Sequence, residues 1–182
     1  SIIPAPVPDD RNFAMTPLLR PMYDYVQTTN GAQWRDTNAY AHLESFRLDR
    51  TSGGEAFPSL GSIERGTYAN LDAIRDYFRG HTNFPQAATA GTAAAGILTA
   101  LGKFDADLEE LRRAAATRPD SRYPIHYDEE PPFAIVLPHL THIKVLCNLF
   151  QLRAVACLEA RQPAEAFADL KTGLRLSDSL SN

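Results

Sequence analysis

The stretch from Leu137 to the end of the chain limits the fold more than any other. It reads as two consecutive helices, and the first is apolar on two faces at once. Leu140, Ile143, Cys147, Phe150, Ala154 and Cys157 recur at steps of three and four. Val145, Leu149, Leu152 and Ala156 do the same on a neighbouring face. Only a narrow polar stripe is left, formed by Thr141, Lys144, Asn148 and Gln151. A helix with so wide an apolar arc is buried on more than one side. The pattern predicts a helix over 138–160 with Pro138 in its first turn. A break follows at Gln162-Pro163, and then a last helix that presents Phe167, Leu170 and Leu174.

Upstream, Phe104, Leu108, Leu111 and Ala115 make a single stripe at i, i+4, i+7 and i+11. They predict a helix from near Asp105 to Thr117, stopped by Pro119. Glu109 and Arg113 form a favourable i, i+4 pair on its other side. Ala87 to Leu101 is Ala-rich and helix-prone, with Gly102 as its terminator. Thr67 is expected to cap a helix through Phe78 that ends at Gly80. Residues 33–66 are the least periodic part. A helix over Asp36–Leu48 is expected there, Trp34 is expected in the core, and loops are expected at Ser52-Gly53-Gly54 and Pro58–Gly61. Nearer the start, Pro4, Pro6 and Pro8 favour extended chain. Asp9 or Asp10 is a candidate cap for a short helix over Asn12–Leu19, which Pro21 ends. A turn follows at Asn30-Gly31. The expected fold is therefore all-α: a single helical domain over 1–182, with an irregular part at 1–66 and a helical part at 67–182.

Composition narrows the function classes. The chain has 182 residues, 44% hydrophobic and 22% charged, with a net charge of −4. These are the proportions of an ordinary globular domain. The scattered basic residues argue against nucleic acid. No apolar run approaches the ~18 residues of a membrane helix, so no membrane insertion is expected. Cys147 and Cys157 lie ~15 Å apart along one predicted helix, too far for a disulfide; buried thiols are the simpler reading. The chain starts at Ser1 and stops inside a helical pattern, so both ends read as cuts in a longer protein.

Two stretches resemble each other. Leu101-Gly102-Lys103-Phe104 leads into 105–114 and on to Arg118-Pro119, and Ala160-Arg161-Gln162-Pro163 leads into 164–173. Both resemble the turn and second helix of a tetratricopeptide repeat. Phe104, Leu111, Ala114 and Pro119 match that pattern, as do Ala154, Ala166, Leu170 and Gly173. Asp107, Pro163 and Asp178 depart from it. The spacing exceeds the ~34-residue period of a true array, so the resemblance implies two tetratricopeptide-like hairpins separated by a proline-rich loop. Any Ala- and Leu-rich helix pair gives a similar match. The chain as a whole also resembles a family of uncharacterised bacterial proteins. The residues that carry this are Val7–Ala14, Arg118–Pro124, Leu137–Leu140 and Leu174–Leu180. That resemblance implies a larger parent with an N-terminal membrane anchor, and hence an extracytoplasmic domain. It implies no activity.

Candidate chemistry is sparse. His139 and His142 share a helix face and follow the acidic run Asp128-Glu129-Glu130. Two histidines with Glu130 would make a divalent-metal set, although a solvated helix start is the simpler reading. Arg118 and Arg122 suit an anion or, more simply, pair with Asp120, Asp128 or Glu129 and fix the loop. Ser121 lacks a nucleophile elbow. The leading function is a non-enzymatic helical scaffold or protein-interaction domain, which needs no cofactor. Its expected surface is Val145, Leu149, Leu152, Leu174 and Leu180, open to a protein partner or to self-association. The alternative is a metal-dependent hydrolase built on His139, His142 and an acid of the 128–130 loop.

Overall fold

The computed structural model describes residues 6–29, 31–48, 56–62, 66–89, 91–125 and 137–181. The chain is mostly helical, with two small antiparallel strand pairs. In order, the elements are β1 (Tyr25–Thr28), β2 (Gly31–Trp34), α1 (Thr37–Glu44), β3 (Gly61–Ser62), β4 (Thr67–Tyr68), α2 (Leu71–Gly80), α3 (Ala93–Leu101), α4 (Asp105–Thr117), α5 (Pro138–Glu159) and α6 (Pro163–Asp178). No helix among the described residues is long and apolar enough to cross a membrane.

The helices with the clearest periodicity fall where the pattern puts them. Of the expected stripe, Phe104, Leu108 and Leu111 are buried while Ala115 is half-buried and its neighbour Ala114 takes the buried place, and Asp105 and Asp107 sit in the first turn of α4 against the positive helix end. α5 runs as a single rod from Pro138 and is buried along most of its length. It packs against α6 and α3. α3 leans on α2, and α4 on α6. One continuous core joins Phe13, Leu19, Phe46, Phe78, Phe104 and Phe150, none of them more than 1% exposed. Phe46 and Phe104 stack with ring centroids 4.5 Å apart inside it.

Caps, not periodicity, decide the element starts that differ from expectation. α3 begins at Ala93 rather than Ala87, because the Thr92 side chain accepts a hydrogen bond from the Ala95 N–H at 3.2 Å. Asn70 caps α2 in the same way through the Ala73 N–H. Thr67, expected as that cap, lies instead in β4 opposite Ser62. There Gly61 has φ +82°, and a Cβ on it would meet the Thr67 carbonyl oxygen at 2.6 Å, so only glycine fits this close pairing. Gly102 does not terminate the chain's helical path. Its φ of −55° carries α3 through a 3-10 turn (Gly102–Phe104) into α4. Around the expected turn at 30–31, β1 and β2 form a ladder with Tyr25 opposite Trp34, and these rings lie 5.9 Å apart. Trp34 is only half-buried and stacks on Tyr40 at 3.9 Å. Asp36 caps α1, which ends four residues short of Leu48. The Ser52-Gly53-Gly54 loop and the acidic run at 128–130 lie outside the described residues.

The N-terminal segment is irregular but tightly held. A 3-10 turn over Phe13–Met15 stands in place of the expected helix over 12–19, and a second, Arg20–Met22, follows it. Asn12 itself, not Asp9 or Asp10, caps the first by accepting from the Ala14 N–H. The same side chain brackets Arg122, donating to its carbonyl and accepting from its N–H, both at 2.8 Å. The Phe13 N–H donates to the Asp120 carbonyl at 2.9 Å, and Arg11 pairs with the Asp120 carboxylate at 3.0 Å. Arg175 of α6 closes this corner from below. It donates to the carbonyls of Arg118, Pro119 and Asp120, and its guanidinium lies 5.0 Å from the Phe13 ring centroid.

A buried ion cluster locks α4, α5 and α6 together. The Asp169 carboxylate is wholly buried. Arg112 of α4 donates to it at 2.5 Å and Arg153 of α5 at 3.4 Å. Burial pushes the Asp169 carboxyl up from its ordinary range, and the Arg112 hydrogen bond and both guanidinium charges act against that rise. Removing one partner leaves a charge stranded in the core. Arg112→Met is expected to cost about 3 kcal/mol of stability, read as a lower urea midpoint. The double change Arg112→Met with Asp169→Leu is expected to recover most of that loss.

Candidate functional site

Both histidines of α5 are buried, not solvated as a helix start would be. Although three residues apart, they meet different surroundings. His142 Nδ1 lies 2.9 Å from the Pro138 carbonyl, and its Nε2 lies 2.9 Å from Glu44 Oε1 at the end of α1. Both ring nitrogens have an oxygen partner. His142 thus serves to tie α1 to α5, with neither ring nitrogen open to a metal. His139 faces the other way. Its ring stacks on Tyr123 at 4.6 Å and 14°, with Tyr23 a further neighbour at 6.2 Å. The Tyr123 hydroxyl hydrogen-bonds Ser179, which donates to the Leu176 carbonyl, so this aromatic stack also holds the end of α6. Glu130 lies outside the described residues, and no group of three or more metal-ligating side chains occurs among those described.

Arg118 fixes the chain, but through other partners than expected. It donates to the carbonyls of Asp9 and Asn12 at 3.0 and 3.2 Å, and Asp120 pairs with Arg11 instead. Arg122 enters the same corner through its backbone, which Asn12 brackets. Asn12 was legible only as a cap. Its long-range role needs a residue more than a hundred positions away, and no local signal carries that.

The expected interaction surface divides in two. Leu149 and Leu152 are each 1% exposed and lie in the chain's own core. They offer almost no exposed surface to a partner, because both belong to the continuous core. Val145 is half-buried against the same core. Leu174 and Leu180 do reach solvent, at 56% and 40%. Phe167 and Leu170, at 63% and 53%, extend Leu174 into a row on the outer side of α6. Leu140, expected on an apolar face of α5, is exposed too. Neither cysteine forms a disulfide; Cys157 is buried and Cys147 half-buried, and burial raises both thiols above their ordinary range.

The polar stripe of α5 is exposed, as its spacing predicts, and it floors a groove of about 540 Å³. Thr141, Lys144, Asn148 and Gln151 form one side. The other side comes from the stretches around Arg47 and Phe57. A second groove, of about 360 Å³, runs between α4 and α6 over Ala115, Ala116 and Ala168.

No family model matches the chain, and no curated protein or solved structure matches it either.

The buried aromatic stack carries a pH signature. Burial pushes the His139 imidazole below its ordinary value. The unfolded chain therefore takes up the proton first, and the folded state loses stability as the pH falls below about 6.5. The urea midpoint is expected to decline between about pH 7 and pH 5. His139→Phe, which keeps a ring on Tyr123, is expected to flatten part of that decline. An unchanged slope in this variant would place the acid sensitivity elsewhere.

Proposed function

We propose that the chain is a non-enzymatic helical scaffold that pairs with a second copy of itself through α6. The row Phe167, Leu170 and Leu174 carries this reading: three large apolar side chains, each more than half exposed, on the outer side of one helix. Single exposed apolar residues are ordinary, but a contiguous row marks a contact surface. Its borders favour a self-complementary contact. Lys171 and Asp178 lie two turns apart on the same flank of α6. When two α6 helices meet antiparallel about a twofold axis near Leu174, each Lys171 comes opposite the other copy's Asp178. Leu174 then packs on its own counterpart, and Leu170 faces the turn that carries Leu180. This is an isologous contact, in which one patch serves both copies.

The tetratricopeptide-like reading supports the same role. Repeats of that type present one helix face to the next unit. α5 and α6 form a hairpin with Ala166 buried inside it and the α6 row on its outside. The first stretch supports it less well, because α3 and α4 continue through a 3-10 turn and pack on different neighbours.

Sedimentation across a concentration series tests the pairing. A monomer–dimer equilibrium is expected. Lys171→Asp is expected to weaken it about tenfold, and adding Asp178→Lys to restore it. Leu174→Asp is expected to abolish it. A chain that stays monomeric up to about 1 mM, the weak end of specific binding, ends the proposal.

A further inference from the structure

Asp169 lies in the core with a relative exposure of 0%, yet its two oxygens meet unequal surroundings. Oδ1 takes both arginines, Arg112 Nη2 at 2.5 Å and Arg153 Nη1 at 3.4 Å. Oδ2 is buried and accepts no hydrogen bond from the chain. A carboxylate oxygen has lone pairs for two donors. A charged acceptor left unmet in a core is strongly destabilising. Burial holds the Asp169 carboxyl above its ordinary range even with two guanidinium groups beside it.

The other side of the contact shows the matching deficit. Arg112 donates through Nη1 to Glu165 Oε2 at 3.1 Å and through Nη2 to Asp169. Its Nε–H is buried and has no acceptor. Nε and Nη2 share one edge of the rigid guanidinium plane, and arginine uses such an edge to grip a carboxylate through two parallel bonds. Only one of those two bonds is closed here. The unmet donor and the unmet acceptor therefore flank a single 2.5 Å contact. Nε is joined to Nη2 through one carbon, and Oδ2 to Oδ1 through one carbon.

The chemistry of an occupant follows from these two atoms. It must accept from the Nε–H and donate to Oδ2. It must also be small, because neither atom reaches the surface. A carboxylate meets only the donor, and an ammonium ion only the acceptor. Water meets both, and enclosed water is the common partner of buried polar groups that a chain leaves unmet.

We propose that one enclosed water molecule bridges Arg112 Nε and Asp169 Oδ2 as a fixed part of the ion cluster that joins α4, α5 and α6. The Nε–H donates to the water, and the water donates to Oδ2. The second bond of the fork is thus made in relay. The site lies among the buried side chains of α6, apart from the outer row Phe167, Leu170 and Leu174, so its presence does not depend on pairing of the chain.

A high-resolution crystal structure of the chain tests the assignment directly. A water within about 3.2 Å of both atoms is expected. Magnetic relaxation dispersion of the solvent, which counts long-lived enclosed waters, gives the reading in solution. The double variant Arg112→Met with Asp169→Leu, which removes both partners, is expected to lose one such water. Arg112 Nε bonded directly to Asp169 Oδ2 in the crystal would overturn the proposal. So would a crystal structure with no water in reach of both atoms, or an unchanged count of long-lived waters in the folded double variant. If that variant fails to fold, the crystal structure of the unaltered chain decides alone.

Discussion

A carboxylate with no access to water dictates where α6 can lie. Asp169 is charged, wholly buried and held by arginines from two other helices. A shift of α6 by one turn would carry it away from both guanidinium groups and strand a charge in the core, which is strongly unfavourable. The hydrophobic contacts between α5 and α6 are permissive by comparison, since apolar surfaces tolerate many registers. The ion cluster therefore supplies the register, and the apolar faces supply most of the adhesion. Everything at the end of α6 then follows: Arg175 reaches the three carbonyls at 118–120, and Ser179 meets Tyr123.

Where one physical rule governs an element, the chain reads plainly. α4 and α5 follow from sustained apolar positions at helical spacing, with Pro119 after the first and Pro138 and Pro163 about the second, and their observed limits lie within a residue of the periodic ones. α3 and α2 were visible as helices, but their starts depended on which of several capping residues wins. Thr92 caps α3 six residues into the Ala-rich stretch, and Asn70 caps α2 because Thr67 is taken up by the strand pair. The two strand pairs went unseen because each is too short for a period-two pattern to stand out, and because Tyr25 and Trp34 recognise each other only across the turn. The N-terminal region resisted reading for a deeper reason. Its order comes from Asn12, Arg11 and Arg118 gripping backbone far away in sequence, and no local window contains both halves of those bonds.

The candidate site was half legible in the same sense. The polar stripe of α5 stood out against its apolar background, and its solvent exposure follows from that contrast. The opposing wall did not, because Phe57 and Leu60 belong to a stretch without periodicity. Leu149 and Leu152 show the converse difficulty. Apolarity reports that a side chain will be covered, but not whether its own chain or another does the covering. The two histidines were read as neighbours by spacing, yet α1 claims one and the aromatic stack the other. Shared helix face and shared environment part company when different elements pack along one helix.

The N-terminal corner has a temporal side as well. Asn12 and its partner Arg122 are separated by 110 residues, so that bond closes a very long loop. During synthesis at roughly 5–20 residues per second, the early segment would wait on the order of 5–20 s for its counterpart to emerge. For that interval Phe13, Leu19 and Met22 have no finished surface to cover. A nascent chain of this design presents these greasy residues to the cell before it has made the place where they belong.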